Sequence, residues 1–185
     1  LAGDDAQTLH ALGTVLQAVG EGERALGVLR RAVRLAPHDA DYWSDMAAAA
    51  LALGRLNEAR GAVDAGLERA PDRAGLSAWK GEIGLAAGEP AVAEAAFRQA
   101  VQLDPRAPRY SVRLADLCRG ADAEAARDLL ERVVAIAPDS EASRRLAALH
   151  AATGDWERAA EAYAQARAVG PDHPELAAAQ GAVLR

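Results

Sequence analysis

An all-α fold, an α-solenoid of stacked antiparallel helix pairs, is predicted by this 185-residue sequence on three observations. The first is composition: 49 residues are alanine, whereas Leu, Ile, Val and Phe together supply 37. Alanine buries little area per residue, so a core must come from close helix approach, and sheet folds built on β-branched and aromatic residues are disfavoured. So few large apolar residues stand at the edge of disorder, but a net charge of -6 and regular apolar spacing keep the chain on the folded side. The second observation is a period. Pro37, Pro71 and Pro105 lie 34 residues apart, and so do Gly20, Gly54 and Gly88. The third is the helical spacing of apolar residues between these markers.

Each unit reads as two antiparallel helices. In unit one, 6–39, Leu9, Leu12, Gly13 and Leu16 share a face and Gly20 ends the helix; Ala25, Leu29 and Ala32 follow before Pro37 stops the second helix. Unit two, 40–73, repeats this with Trp43, Met46, Ala47, Ala50, Gly54, Ala59, Val63, Gly66 and Pro71. In unit three, 74–107, the places hold Gly81, Gly84, Gly88, Ala93, Phe97, Ala100 and Pro105. Unit four, 108–139, offers Leu114, Ala115, Cys118, Ala126, Leu130, Val133 and Pro138; unit five, 140–173, offers Leu146, Ala147, Gly154, Ala159, Tyr163, Ala166 and Pro171. The register slips by one residue twice, through a helix shortened near Arg119 and again at the link Asp139-Ser140. The small residues Gly13, Ala47, Gly81, Ala115 and Ala147 are expected opposite Ala25, Ala59, Ala93, Ala126 and Ala159. Leu29, Val63, Phe97, Leu130 and Tyr163 are then expected between units. Residues 1–5 parallel the end of a preceding second helix, and 174–185 read as a first helix that caps the stack, with Leu176, Gln180, Val183 and Leu184 facing inward. The absence of Met at position 1 points to a segment of a longer chain.

This combination of period, proline, turn glycine and paired small residues resembles the tetratricopeptide repeat family, as five full repeats with partial repeats at both ends. The chain departs from the family pattern in its missing aromatics, since only unit two keeps Trp at the first large position. The resemblance implies a right-handed superhelix whose first helices line a concave, peptide-binding surface. Carried onto this chain, the family's contact places include His10, Thr14, Gln17, Asp41, Ser44, Asp45, Ala78, Trp79, Glu82, Arg109, Val112, Arg113, Asp116, Glu141, Arg144 and Arg145. Arg109 and Arg113 are four apart and share a helical face. With Arg144 and Arg145 they would bring up to four guanidinium groups to one end of the groove, where bidentate forks suit carboxylates. Trp79 would add an apolar platform, with His10 and Glu82 completing the expected contact set. The favoured plainer reading is that the arginines pair with Asp116, Glu141 or Asp104 and that Trp79 packs between units. Only Arg109 and Arg113 resemble part of the carboxylate clamp with which some family members hold chaperone tails. Ser44, Ala48 and Trp79 occupy the earlier clamp places, leaving it incomplete.

The expected function is therefore a non-catalytic protein-protein interaction module, a scaffold for complex assembly. Its partner is a protein or peptide, an acidic segment included, and self-association through end helices is a further expectation. The alternative is a docking or regulatory arm of a larger enzyme, such as a glycosyltransferase, sulfotransferase or peptidase, whose catalytic domain lies outside these residues. No nucleophile, base and orienting group fall together, and no phosphate-binding, dinucleotide or zinc-protease motif occurs. His10, His38, His150 and His173 lack ligand spacing, so no metal or cofactor is expected. The acidic balance speaks against nucleic acid, and no apolar run is long enough to span a membrane. A cytoplasmic location is favoured, with the periplasm open if a leader was removed. Cys118, the single cysteine, reads as a buried structural thiol.

Overall fold

The computed structural model describes residues 5–136, 140–169 and 181, and among them forms ten helices and no strand. They are α1 (Ala6–Ala18), α2 (Gly22–Leu35), α3 (Ala40–Ala52), α4 (Leu56–Arg69), α5 (Ala74–Ala86), α6 (Pro90–Leu103), α7 (Pro108–Cys118), α8 (Ala123–Ile136), α9 (Ser140–Ala152) and α10 (Trp156–Val169). The chain divides into two compact units, Leu1–Leu103 with α1 to α6 and Asp104–Arg185 with α7 to α10.

The recurring punctuation has a local cause. At the end of α1, Gly20 adopts a φ of +82°, which an L side chain tolerates poorly. That twist lets Glu21 N donate to Leu16 O at 2.8 Å and Gly20 N donate to Gln17 O at 3.0 Å, satisfying the last carbonyls in a Schellman motif. Gly54, Gly88 and Gly154 repeat the positive φ and the paired bonds. After α7 the motif is lost. There α7 is 11 residues long rather than 13, and Asp122 N donates back to Cys118 O at 2.7 Å, so the expected shortening near Arg119 is found. The second slip involves residue 139, which lies outside the described residues, as do the proposed tail at 1–4 and nearly all of the terminal helix. The second helices α2 and α4 stop where Ala36 and Ala70, just ahead of Pro37 and Pro71, leave the helical backbone region. Helix starts are capped from the chain itself: Asp5 accepts from Thr8 N at 2.9 Å, and Asp39 accepts from Asp41 N at 3.0 Å. The hydroxyl and amide of Thr8 also hold the Asp5 carboxyl below its ordinary range.

Within unit 1 each first helix packs against its own second helix, α2 also packs on α3 and α4 on α5, and α3 touches both α1 and α5. Leu9, Leu26, Leu29, Val33, Met46, Ala50, Val63 and Ile83 belong to one buried cluster. The helix-to-helix contact differs from the expected small-on-small pairing. A Cβ built on Gly13 would lie 2.6 Å from Leu29, and one built on Gly81 would lie 2.6 Å from the Phe97 ring. Each glycine therefore receives the large residue of its own second helix, and Leu29 and Phe97 fill the space within the helix pair. The close backbone approach comes one turn later, where a Cβ on Gly84 would meet Ala93 N at 3.1 Å. In unit 2, Ala115, Cys118, Ala126, Leu130, Val133, Leu146, Ala147 and Ala159 are buried, and Tyr163 is half-buried. The Cys118 thiol is inside, as its apolar setting predicts.

Candidate functional site

In unit 1 the neighbouring first helices are tied by polar contacts at their accessible side. His10 Nε2 on α1 lies 2.5 Å from Asp45 Oδ2 on α3 and stacks on Tyr42 with ring centroids 4.4 Å apart. Gln17, nearly two turns along α1, donates to the backbone carbonyl of Asp45 at 3.4 Å. Burial first, and then the nearby Asp39 carboxylate, pushes the Tyr42 phenol above its ordinary range. Arg73, just ahead of α5, pairs with Asp41. Of the expected contact residues, Ala78 is buried, while Trp79 is half-buried and packs onto the main cluster, in keeping with a structural role. Glu82 follows Trp79 by three positions on α5 and is half-buried. The fourth place of the first helix is Leu9, Trp43 and Ser77 in turn. Trp43 donates its indole N–H to Pro37 O at 2.8 Å and lies beneath the Arg69 guanidinium, whereas the Ser77 hydroxyl is buried without a partner.

In unit 2 the first helices α7 and α9 carry the four arginines. The Arg109 guanidinium sits 4.7 Å over the Tyr110 ring and donates to Tyr110 Oη at 2.7 Å. Among the described residues no carboxylate pairs with it. Arg113 is half-buried one turn further along α7. On α9, Arg144 pairs with Glu141, and Arg145 reaches both Asp116 on α7 and Glu141, the latter at 2.7 Å. The Asp116 contact joins the two first helices. Arg145 Nε is buried with no hydrogen-bond partner, so the network is incompletely satisfied. Asp116 and Glu141 thus neutralise the α9 arginines as the plainer sequence reading expects, whereas Asp104 accepts from the Arg106 amide at 3.2 Å. Val112, expected on the accessible side, is buried instead.

The second helices carry a different set of contacts. Arg30 on α2 grips Glu58 on α4 through two parallel bonds of 2.5 and 2.7 Å, and Arg55 reaches Glu23 at 2.7 Å. Hydrogen bonding to Arg30 holds the Glu58 carboxyl below the usual glutamate range and raises Arg30 in turn. Neither this clasp nor Tyr110 beneath Arg109 is apparent from local motifs. The signal for the clasp was opposite charges recurring about one repeat apart, at 30 and 58 and again at 23 and 55.

Among the described residues no group of three or more His, Cys, Asp or Glu is placed to hold a metal ion. No helix there is long and apolar enough to cross a membrane.

A family model described as "Tetratricopeptide repeat" matches residues 16–80 and 119–183, and a second with the same description matches 80–141. The chain belongs to the tetratricopeptide repeat family. The fold is that of tetratricopeptide repeat solenoids among solved structures. Pseudomonas aeruginosa pilF is similar with a TM-score of 0.78 and 20% identity, over 96% of this chain and 82% of that one. TTC0263, a thermophilic TPR protein of Thermus thermophilus, gives 0.72 and 22% over 97% and 98%. YrrB, described as a TPR protein with an unusual peptide-binding site, gives 0.69 and 19% over 96% and 93%. Identities this low speak for the fold alone. Comparison with curated protein sequences finds no match. For this tetratricopeptide repeat chain the fold suggests a protein-interaction scaffold, the usual non-catalytic role of such repeats.

Proposed function

We propose that this protein is a non-catalytic interaction module that holds an acidic peptide segment of a partner against its first helices, with Arg109 and Arg113 as anchors and Arg144 and Arg145 beside them. The segmentation into repeats at 6–39, 40–73, 74–107, 108–139 and 140–173 belongs to the same proposal. One observation carries the choice of site. Arg109 is exposed, held over a neutral tyrosine, and pairs with no described carboxylate, so its orientation is partly fixed while its charge is not cancelled. A guanidinium so placed presents paired donors to a carboxylate with less conformational entropy left to lose. Family membership supports the class of function, and YrrB is a similar fold whose description includes peptide binding.

The test is an array of acidic, neutral and basic dodecapeptides probed with the purified protein. Acidic peptides are expected to bind best, and Arg109→Glu with Arg113→Glu to weaken them by about tenfold or more. Arg98→Glu, a change on the second helix α6, should leave binding unaltered. Equal capture by wild type and the Arg109→Glu/Arg113→Glu protein would remove this site.

A further inference from the structure

Two successive seams of unit 1, each between a second helix and the helix pair after it, use the same places for opposite ends. At the seam of α2 with α3, Leu26 and Leu29 of α2 and Met46 and Ala49 of α3 are buried in one cluster. Over them Arg30 grips Glu58, and Arg55 reaches Glu23 and Glu58. At the next seam, of α4 with α5 and α6, each of these places recurs 34 residues on, with Arg60 where Leu26 stood and Lys80 where Met46 stood. A charged head is costly to bury, so both side chains run out to solvent and are each 46% exposed. Val63 for Leu29 and Gly84 for Ala50 remove further volume, and Ile83 for Ala49 returns part of it. What remains is a cleft, open to solvent over about 420 Å³, with buried Val63 and Ile83 at its base and exposed Val92 at its edge. The seam that a leucine and a methionine close in one repeat is left open in the next. Both seams have helices of unit 1 on either side, so the opening owes nothing to the ends of the chain.

The rim of the cleft carries both signs of charge. Arg60 pairs with Glu89, just ahead of α6, at 3.1 Å, whereas Lys80 Nζ stands 3.9 Å from Asp64 Oδ1. The second contact is loose and half in water, so its two groups exchange each other for new partners at little cost. Among the described residues Val92 is the one exposed large apolar side chain that borders the cleft. That is far less apolar surface than a stable protein interface buries, so the occupant is small. We propose that this cleft binds a free aliphatic α-amino acid of leucine or methionine size. Its side chain takes the space that Leu26 and Met46 fill one repeat earlier, its carboxylate is met by Lys80, and its ammonium by Asp64. A zwitterion gives a new partner to each member of the opened pair, whereas a fatty acid would leave Asp64 unpaired and an alkylamine would leave Lys80 so. This site is separate from the arginine face of unit 2 and does not depend on it.

The test is a titration of the nitrogen-labelled protein with L-leucine, followed through its amide NMR signals. Those of Lys80, Ile83 and Val92 are expected to shift and to saturate in the millimolar range. Isocaproate, which lacks the ammonium, and isoamylamine, which lacks the carboxylate, should each bind about fivefold or more weakly. Asp64→Asn, a surface change, should weaken leucine by a similar factor and leave isocaproate unaltered. Lys80→Met should close the cleft as Met46 closes the seam before it, abolishing binding while raising the denaturation midpoint, so the loss is read on a protein more stable than wild type. No saturable shift with leucine, equal binding of leucine and isocaproate, or undiminished binding by Lys80→Met would overturn the proposal. Binding of N-acetyl-leucine amide as tightly as leucine would also overturn it, because a leucine side chain of a partner protein would then be the occupant.

Discussion

Across α5 and α6 in unit 1, Gly81 lies under the ring of Phe97; across α7 and α8 in unit 2 the corresponding places hold Ala115 and Leu130, both buried. A Cβ at Gly81 would stand 2.6 Å from the ring, so the aromatic occupies the room that a methyl group takes in the other unit. One repeat thus exchanges volume across the helix pair while keeping the total, which is how cores tolerate substitution. The accessible sides of the first helices differ in charge rather than in volume. Unit 1 joins them by His10 and Asp45, and unit 2 by Asp116 and Arg145. Packing and the polar ties between first helices therefore vary independently on one backbone pattern.

The sharpest break in this comparison is Phe97→Ala, expected to cost about 3–5 kcal/mol in chemical denaturation because nothing at Gly81 fills the void. Leu130→Ala should cost less, about 2–4 kcal/mol, since Ala115 already occupies part of the space. Next in size, Gly81→Ala should destabilise by about 1–3 kcal/mol despite the better helix propensity of alanine, because the buried ring has little room to move. Adding Phe97→Leu should recover most of that loss. A double-mutant cycle returning additive effects would show that the two positions do not trade volume.

A smaller effect is expected from acid titration. Arg30 holds the native Glu58 carboxyl below its unfolded value near 4.5, so the pair contributes its full stability above that pH and loses it as pH falls through the lowered native value. With both side chains partly in solvent, the contribution is about 0.5–1 kcal/mol at neutral pH. Glu58→Gln should therefore lower stability at pH 7 and leave it unchanged at pH 2, and an equal loss at both would contradict the pairing. Smallest of all, Ser77→Ala and Ser143→Ala should be neutral or raise stability by up to about 1 kcal/mol, because each removes a buried hydroxyl that has no partner.

Much of the fold was legible because its markers are local. A glycine needing positive φ, as at Gly20 and Gly54, and a proline ending a helix, as at Pro37, act through their own backbones and need no tertiary information. Which small residue meets which large one was less legible. Gly81 and Gly84 both lie on the same side of α5, and only the crossing of α5 over α6 sends one to Phe97 and the other to Ala93. The candidate site was legible as a set of arginines on first helices, because spacing by four and by one repeat fixes the helix face. Their state was not. Whether Arg145 meets Asp116, or Arg109 settles on Tyr110, depends on side-chain rotamers that sequence spacing does not determine.

The proposed docking of an acidic partner peptide places it on unit 2, along α7 and α9. Amide hydrogen exchange on the intact protein, with and without the tightest acidic peptide from the array, tests it most directly. The prediction is slowed exchange in Pro108–Cys118 and Ser140–Ala152, absent with the Arg109→Glu/Arg113→Glu protein. Protection confined to the helices of unit 1, or to the second helices α8 and α10, would contradict it.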